Sequence, residues 1–203
     1  MPEFERERLG LFRKVLSKIG KVFMWWRAPK SNIIILNGCF IFIPELFYQL
    51  TNDYAKANEE WFLVGIKMGR SLLNEMFDLI EIMVSKSVRE LTYLVDAAWS
   101  TFMGRKPTYI QYFPPDEQGI EKISWAWDEC IMCTNAAHLI GAENAKNLHT
   151  EALAAGVFQI VFQILMDYVG NSFKVEAKDT QSRARGDPTC ELTLFFNPIE
   201  RIK

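Results

Sequence analysis

The apolar residues change their spacing three times along this chain, and that switching restricts the fold more than any other feature. From residue 44 to about 104 they recur at helical intervals, predicting helices over 44–54, 58–83 and 88–104. Between Tyr109 and Trp127 the interval drops to two. Ile123, Trp125 and Trp127 alternate with Ser124 and Ala126, while Tyr109 to Phe113 forms a matching run beyond a Pro-Pro-Asp-Glu-Gln-Gly turn. Helical spacing returns over 134–169, with Gly141 as a break, and Gly170 and Asn171 end it. A second strand pair, 172–179 and 190–196, flanks the turn-rich stretch from Ser182 to Thr189. This order predicts an α+β fold, a layer of long α-helices packed on a small antiparallel β-sheet.

Residues 5–26 form a separate unit. Leu9, Phe12, Val15, Leu16, Ile19, Val22, Phe23 and Trp26 share one helical arc, and Arg13, Lys14, Lys18 and Lys21 occupy the opposite side. Eight Lys/Arg against three Glu make the first 30 residues basic, whereas the rest of the chain is acidic. The domain organisation read from this is a basic amphipathic helix over 1–30 and an α+β domain over 31–203. Binding of a nucleic-acid backbone by the acidic body is disfavoured. The N-terminus lacks the continuous apolar core of a secretory signal, and the longest uncharged runs, 31–44 and 152–166, fall short of the ~20 residues a spanning helix needs. A cytoplasmic protein with reduced cysteines is expected.

Gly65 and Gly69 in "GIKMGRSLL" lie on one face of a helix. The spacing is wrong for a phosphate-binding loop, and the NH groups of a helix interior are already used. Each glycine costs about 1 kcal/mol of helix propensity, so Gly65, Gly69 and Leu72 read as a seam where another backbone approaches, within one subunit or between two. Cys130 and Cys133 have half the spacing of a zinc site; His138 and Cys190 are the other candidate ligands, and the second ligand pair is missing. No catalytic or cofactor-binding residue stands out, and Arg185-Gly186-Asp187 reads as turn chemistry.

The stretch "LTNDYAKANEEWFLVGIKMGRSLLNEMF" resembles the small, Bet-type subunits of the TRAPP vesicle-tethering complex, through Leu50, Asp53, Tyr54, Gly65, Met68, Gly69, Leu72 and Phe77. Gly156 in "AGVFQIVFQIL" is similar to a late glycine of that family. Asp179, Gly186, Asp187, Thr189 and Glu191 resemble its closing hairpin. The resemblance spans roughly 32–197 and implies a TRAPP-like fold that dimerises through helices. The wider superfamily includes four-vinyl-reductase-type domains, some of which bind small hydrophobic or aromatic ligands. Two departures stand out. The family's lipidated cysteine falls near Ser85, and the zinc-binding sensors' ligands are matched only by Cys190, with Thr180, Gln181 and Ser182 where another would stand.

The expectation is therefore a non-enzymatic TRAPP-like scaffold or tethering subunit, a homo- or heterodimer with a TRAPP-like subunit and a small GTPase as further partner. No cofactor is required by that reading, although zinc or a bound lipid is compatible with it. Arg13, Lys14, Lys18, Lys21, Trp25 and Trp26 would contact an anionic membrane or a partner; the alternative is that the apolar face of the same helix packs on the domain or across the dimer. The alternative is a sensor domain that binds zinc or a hydrophobic or aromatic molecule, in a pocket lined by some of Trp61, Phe62, Trp99, Phe102, Trp125 and Trp127. An enzyme related to thiazoline-carboxylate hydrolases would rest on Cys130, Cys133 and Cys190.

Overall fold

A computed structural model describes residues 37–80, 84–104, 106–130 and 132–199, apart from the side chains of Met76, Asp78, Leu79, Ile80, Thr101 and Phe102. The helix expected over 5–26, with its proposed contact residues and the boundary at residue 30, lies outside the described residues.

Helix α1 covers 37–51, so Pro44 stands inside it and not in its first turn. Pro44 is itself buried, and Phe40 and Ile41 upstream of it are buried too. That burial outweighs the one backbone hydrogen bond a proline removes. Asn52 turns into the left-handed region at φ 51°. Asp53 then caps the next helix, its carboxylate accepting the amides of Ala55 and Lys56 at 2.9 and 3.2 Å. This is α2, Tyr54–Ile80, which begins ahead of the expected start at 58. A 3₁₀ turn over Val88–Glu90 leads into α3, Leu91–Met103, closed by Gly104 at φ 65°.

Strands β1 (Tyr109–Phe113) and β2 (Glu121–Trp127) pair as the alternation predicts. The helical stretch expected over 134–169, with a break at Gly141, is three helices: α4 (Ala136–Ile140), α5 (Ala142–Asn147) and α6 (Ala152–Tyr168). Gly141, at φ 86° and ψ 152°, makes the first break. The second comes from α2. Asn58 accepts the His149 amide at 2.9 Å and donates to the Asn147 carbonyl at 3.1 Å, taking the backbone groups that a continuing helix would use. Leu148 is extended there and its side chain is buried.

Strands β3 (Phe173–Gln181) and β4 (Cys190–Pro198) complete an antiparallel sheet in the order β1-β2-β4-β3. One face is apolar and holds Ile123, Trp125, Leu192, Leu194, Phe196 and Val175, all buried. Phe158 and Phe162 of α6 pack on it, against Trp125 at 4.7 Å and Phe196 at 6.3 Å between ring centres. The same helix covers the sheet edge. Gln159 accepts the Ala177 amide at 2.9 Å, and Gln163 accepts the Val175 amide at 2.8 Å while donating to the Phe173 carbonyl at 3.0 Å.

The glycine seam lies within the chain, between α2 and α6. A Cβ on Gly65 would collide with the Leu153 carbonyl and stand 3.1 Å from the Gly156 Cα; one on Gly156 would collide with the Phe62 carbonyl. Gly69 faces Val157 and Ile160 in the same way. The two helices touch backbone to backbone, a contact open only to residues without a side chain. Ile160, which stands where a second small residue was expected, has its side chain over Gly69. Gly65→Ala is therefore expected to cost at least ~3 kcal/mol, the upper end for overpacking, because the obstacle is main chain. Thermal unfolding followed by circular dichroism measures this, and an unchanged midpoint would refute the contact.

Candidate metal centre and aromatic cavity

Three remote segments converge at one end of the sheet. After β2 the chain turns sharply, the Cys130 carbonyl accepting the Thr134 amide at 3.0 Å and the Cys133 carbonyl accepting the Ala136 amide at 3.1 Å. This turn presents both thiols inward. Cys190 opens β4 opposite Trp127. Glu151 immediately precedes α6, its carbonyl accepting the Ala155 amide at 3.1 Å. The ligand atoms of Cys130, Cys133, Glu151 and Cys190 all lie within 4.8 Å of one another, and all four residues are buried.

Glu151 is 0% exposed. Its carboxylate accepts hydrogen bonds from Thr150 Oγ1 at 2.9 Å, Ser182 Oγ at 2.8 Å and the Cys130 thiol at 3.6 Å. Among the described residues, none of these partners carries a positive charge. A buried carboxylate without a cation is costly, so the site is suited to a divalent ion. The Sγ atoms of Cys133 and Cys190 are 3.2 Å apart, and the Arg183 amide donates to Cys190 Sγ at 3.4 Å. All cysteines are free thiols. The three buried ones ionise only well above the usual thiol range. Burial dominates at Cys130, and the hydrogen bond with Cys130 dominates at Cys190. At Cys133 the bond with Cys130 pulls downward, but the bond with Cys190 and burial outweigh it. A cation reverses this by favouring thiolates. Three sulfurs and one carboxylate oxygen form a four-ligand set suited to zinc.

His138 does not join this cluster; it is exposed on α4, and Glu151 takes the fourth place. In the sequence alone Glu151, an acid before an apolar helix, is indistinguishable from an ordinary helix-start residue. Ser182, where another sensor ligand would stand, donates to Glu151. Ser85 bonds Glu90.

Beside the cluster, Asp179 is held by His149 Nδ1 at 3.1 Å and Arg185 Nη1 at 2.6 Å. Burial opposes its ionisation, but the hydrogen bonds and charges of His149 and Arg185 prevail and hold the carboxyl below the usual carboxylate range. Arg185 also donates to the Asp179 carbonyl at 3.0 Å, tying the β3–β4 connection to β3.

The aromatic residues divide. Trp99, Trp125 and Trp127 come together, with Trp99 at 4.2 Å from Trp127 and 6.1 Å from Trp125. Trp99 and Trp127 line a cavity of about 340 Å³ with Met103, Lys106 and Thr108. The buried indole N–H groups of Trp125 and Trp127 meet no acceptor among the described residues. Trp61 is used elsewhere, donating to the Thr150 carbonyl at 3.1 Å. Phe62 is half-buried at the α2–α6 seam, and the Phe102 side chain lies outside the described residues. A second, apolar cavity of about 150 Å³ lies between Phe40, Met68, Leu72, Leu153 and Phe158. Leu72 thus lines this cavity.

No protein-family model matches the sequence, and no curated protein matches it. Solved structures do. Subunit 3 of the trafficking protein particle complex from Naegleria fowleri, covalently bound to palmitic acid, superposes with a TM-score of 0.65 at 17% identity, over 85% of this chain and 99% of that one. The phenol-responsive sensory domain of the transcription activator PoxR, with phenol, superposes with a TM-score of 0.53 at 13% identity, over 80% of this chain and 74% of that one. At these identities the likeness establishes the fold, which is α+β and TRAPP-like.

Protein purified under reducing conditions from zinc-supplemented medium is expected to hold one zinc per chain by elemental analysis, with Glu151→Ala or Cys190→Ser losing it and chelation lowering the melting temperature; metal-free wild type would refute the centre. Asp179→Asn is expected to cost ~2–3 kcal/mol, less than a fully buried pair because His149 and Arg185 stay partly solvated. The stabilisation from Asp179 should be complete above its unfolded value of ~3.9 and disappear as pH falls through the lower folded value. Denaturant titrations at several pH values check this, wild type and Asp179→Asn converging in acid.

Proposed function

We propose that this chain is a non-enzymatic TRAPP-like assembly subunit whose body is locked by a zinc ion. The observation that carries the reading is the match to a trafficking-complex subunit along nearly that subunit's whole length. Cys130 and Cys133 hold the exit of β2, Glu151 the start of α6 and Cys190 the start of β4. A zinc ion held by these four side chains would supply a structural cross-link, since four protein ligands leave none of the open positions that catalytic sites keep. Thr150 and Ser182 orient the Glu151 carboxylate.

The partner is a second TRAPP-like subunit. Phe42, Leu46 and Leu50 form a stripe along α1 and are 48, 52 and 74% exposed, a face suited to helix-against-helix assembly. A small GTPase and an anionic membrane, reached through the basic residues of 1–30, complete the proposed partners and make the protein cytoplasmic and peripheral to the membrane.

A second reading has one observation in its favour. The indoles of Trp125 and Trp127, which meet no acceptor among the described residues, the latter lining the larger cavity, suit a sensor that binds an aromatic molecule carrying a hydrogen-bond acceptor. Light scattering is expected to find a dimer, converted to a monomer of unchanged melting temperature by Leu46→Glu with Leu50→Glu. A monomeric wild type that retains a small aromatic molecule in native mass spectrometry would favour the sensor.

A further inference from the structure

Cys133 differs from the other three members of the cluster in access, and its sulfur meets that of Cys190. These two sulfurs are 3.2 Å apart, whereas two thiolates on one tetrahedral zinc keep ~3.8 Å given Zn–S bonds of ~2.3 Å. Cys133 also lines a cleft of about 330 Å³ with Thr134, Asn135 and Arg183. The cleft is wide enough for a small polar oxidant. Cys190 is fully buried behind Cys133, held at the head of β4. One sulfur at the foot of a cleft with a second in contact behind it is the arrangement of an attacking and a resolving thiol. Cys130 and Glu151 do not line that cleft.

We infer that the metal centre is also a redox release device, in which hydrogen peroxide joins Cys133 to Cys190 and the disulfide expels the zinc. The inference rests on the zinc reading above. Cys133 sulfur attacks one peroxide oxygen, the O–O bond breaks, and the departing hydroxide leaves as water after taking a proton. The resulting sulfenic acid is then attacked by Cys190 sulfur; the S–S bond forms, the S–O bond breaks and a second water departs. In sum two thiolates, one peroxide and two protons from solvent give one disulfide and two waters, the two electrons passing from the sulfurs to peroxide. Only Cys130 and Glu151 then remain as ligands, too few to hold the ion. The turn before α4 stays tied to β4, now by a covalent bond, while Glu151 loses its counter-charge.

The test uses the full chain carrying Cys39→Ser, which removes the exposed thiol on α1 that would couple chains to one another. Zinc content is measured on the reduced protein first. Peroxide is then titrated in, free zinc is followed with a colorimetric chelator, and disulfides are mapped by mass spectrometry of non-reduced peptides. The expected result is one zinc freed for each Cys133–Cys190 linkage, with zinc loss and the linkage rising together as peroxide is added. Protein that holds no zinc when reduced would overturn the zinc reading and the release with it. Zinc-loaded protein that keeps its metal under peroxide, or loses it through a Cys130–Cys133 linkage, would overturn the redox inference alone. Zinc release and disulfide mapping are both read on protein with all four ligands intact, so the test needs no variant in the core.

Discussion

The Leu153 carbonyl and the Gly156 backbone leave no room for a side chain on the facing turn of α2, and that exclusion determines where α6 lies. Backbone contact at Gly65 and Gly156 sets both the distance and the axial register of the two helices, since a shift of one turn would bring Leu153 or Ile160 onto main chain. The other positions follow from this register. Phe158 and Phe162 fall over the apolar face of the sheet, Gln159 and Gln163 reach the β3 edge, and the residue before the helix, Glu151, arrives among three thiols. The site depends on the seam geometrically, even though they share no residue.

The cluster is a problem in charge as much as in geometry. A fully buried carboxylate with only hydroxyl and thiol donors, beside sulfurs whose ionisation is suppressed, is unfavourable without a cation and strongly favourable with one. Cys130 and Cys133 belong to one turn, but Glu151 and Cys190 come from elements far apart in the chain. A metal bridging them closes long loops, where a cross-link constrains the unfolded chain most.

Much of the fold could be read from periodicity. The strands over Tyr109–Phe113 and from Ile123 to Trp127 appear where alternation placed them, although both faces of the second are buried and the first buries neither fully. What failed was local continuity. Helical spacing runs through Leu148, yet Asn58, ninety residues away in the chain, captures the backbone there and ends α5. Pro44 looked like a helix start and lies inside α1, since buried Phe40 and Ile41 extend the helix upstream. The metal-site candidates were legible as Cys130, Cys133 and Cys190, whereas Glu151 was not: its role comes from total burial, a property of tertiary structure. His138 has suitable chemistry in the wrong place, on an exposed turn of α4.

The glutamines along α6 have a consequence for how such a molecule behaves in a crowd. With Val175, Ala177 and Phe173 engaged by Gln159 and Gln163, the β3 border of the sheet is stoppered, leaving β1 as the border strand without such a cover in the described fold. A sheet closed on one side can join once, rim to rim, with a like neighbour, and the joined pair then presents two stoppered rims. Growth by strand addition stops at two, so the same side chains that seat a helix also prevent the sheet from becoming the seed of a fibre.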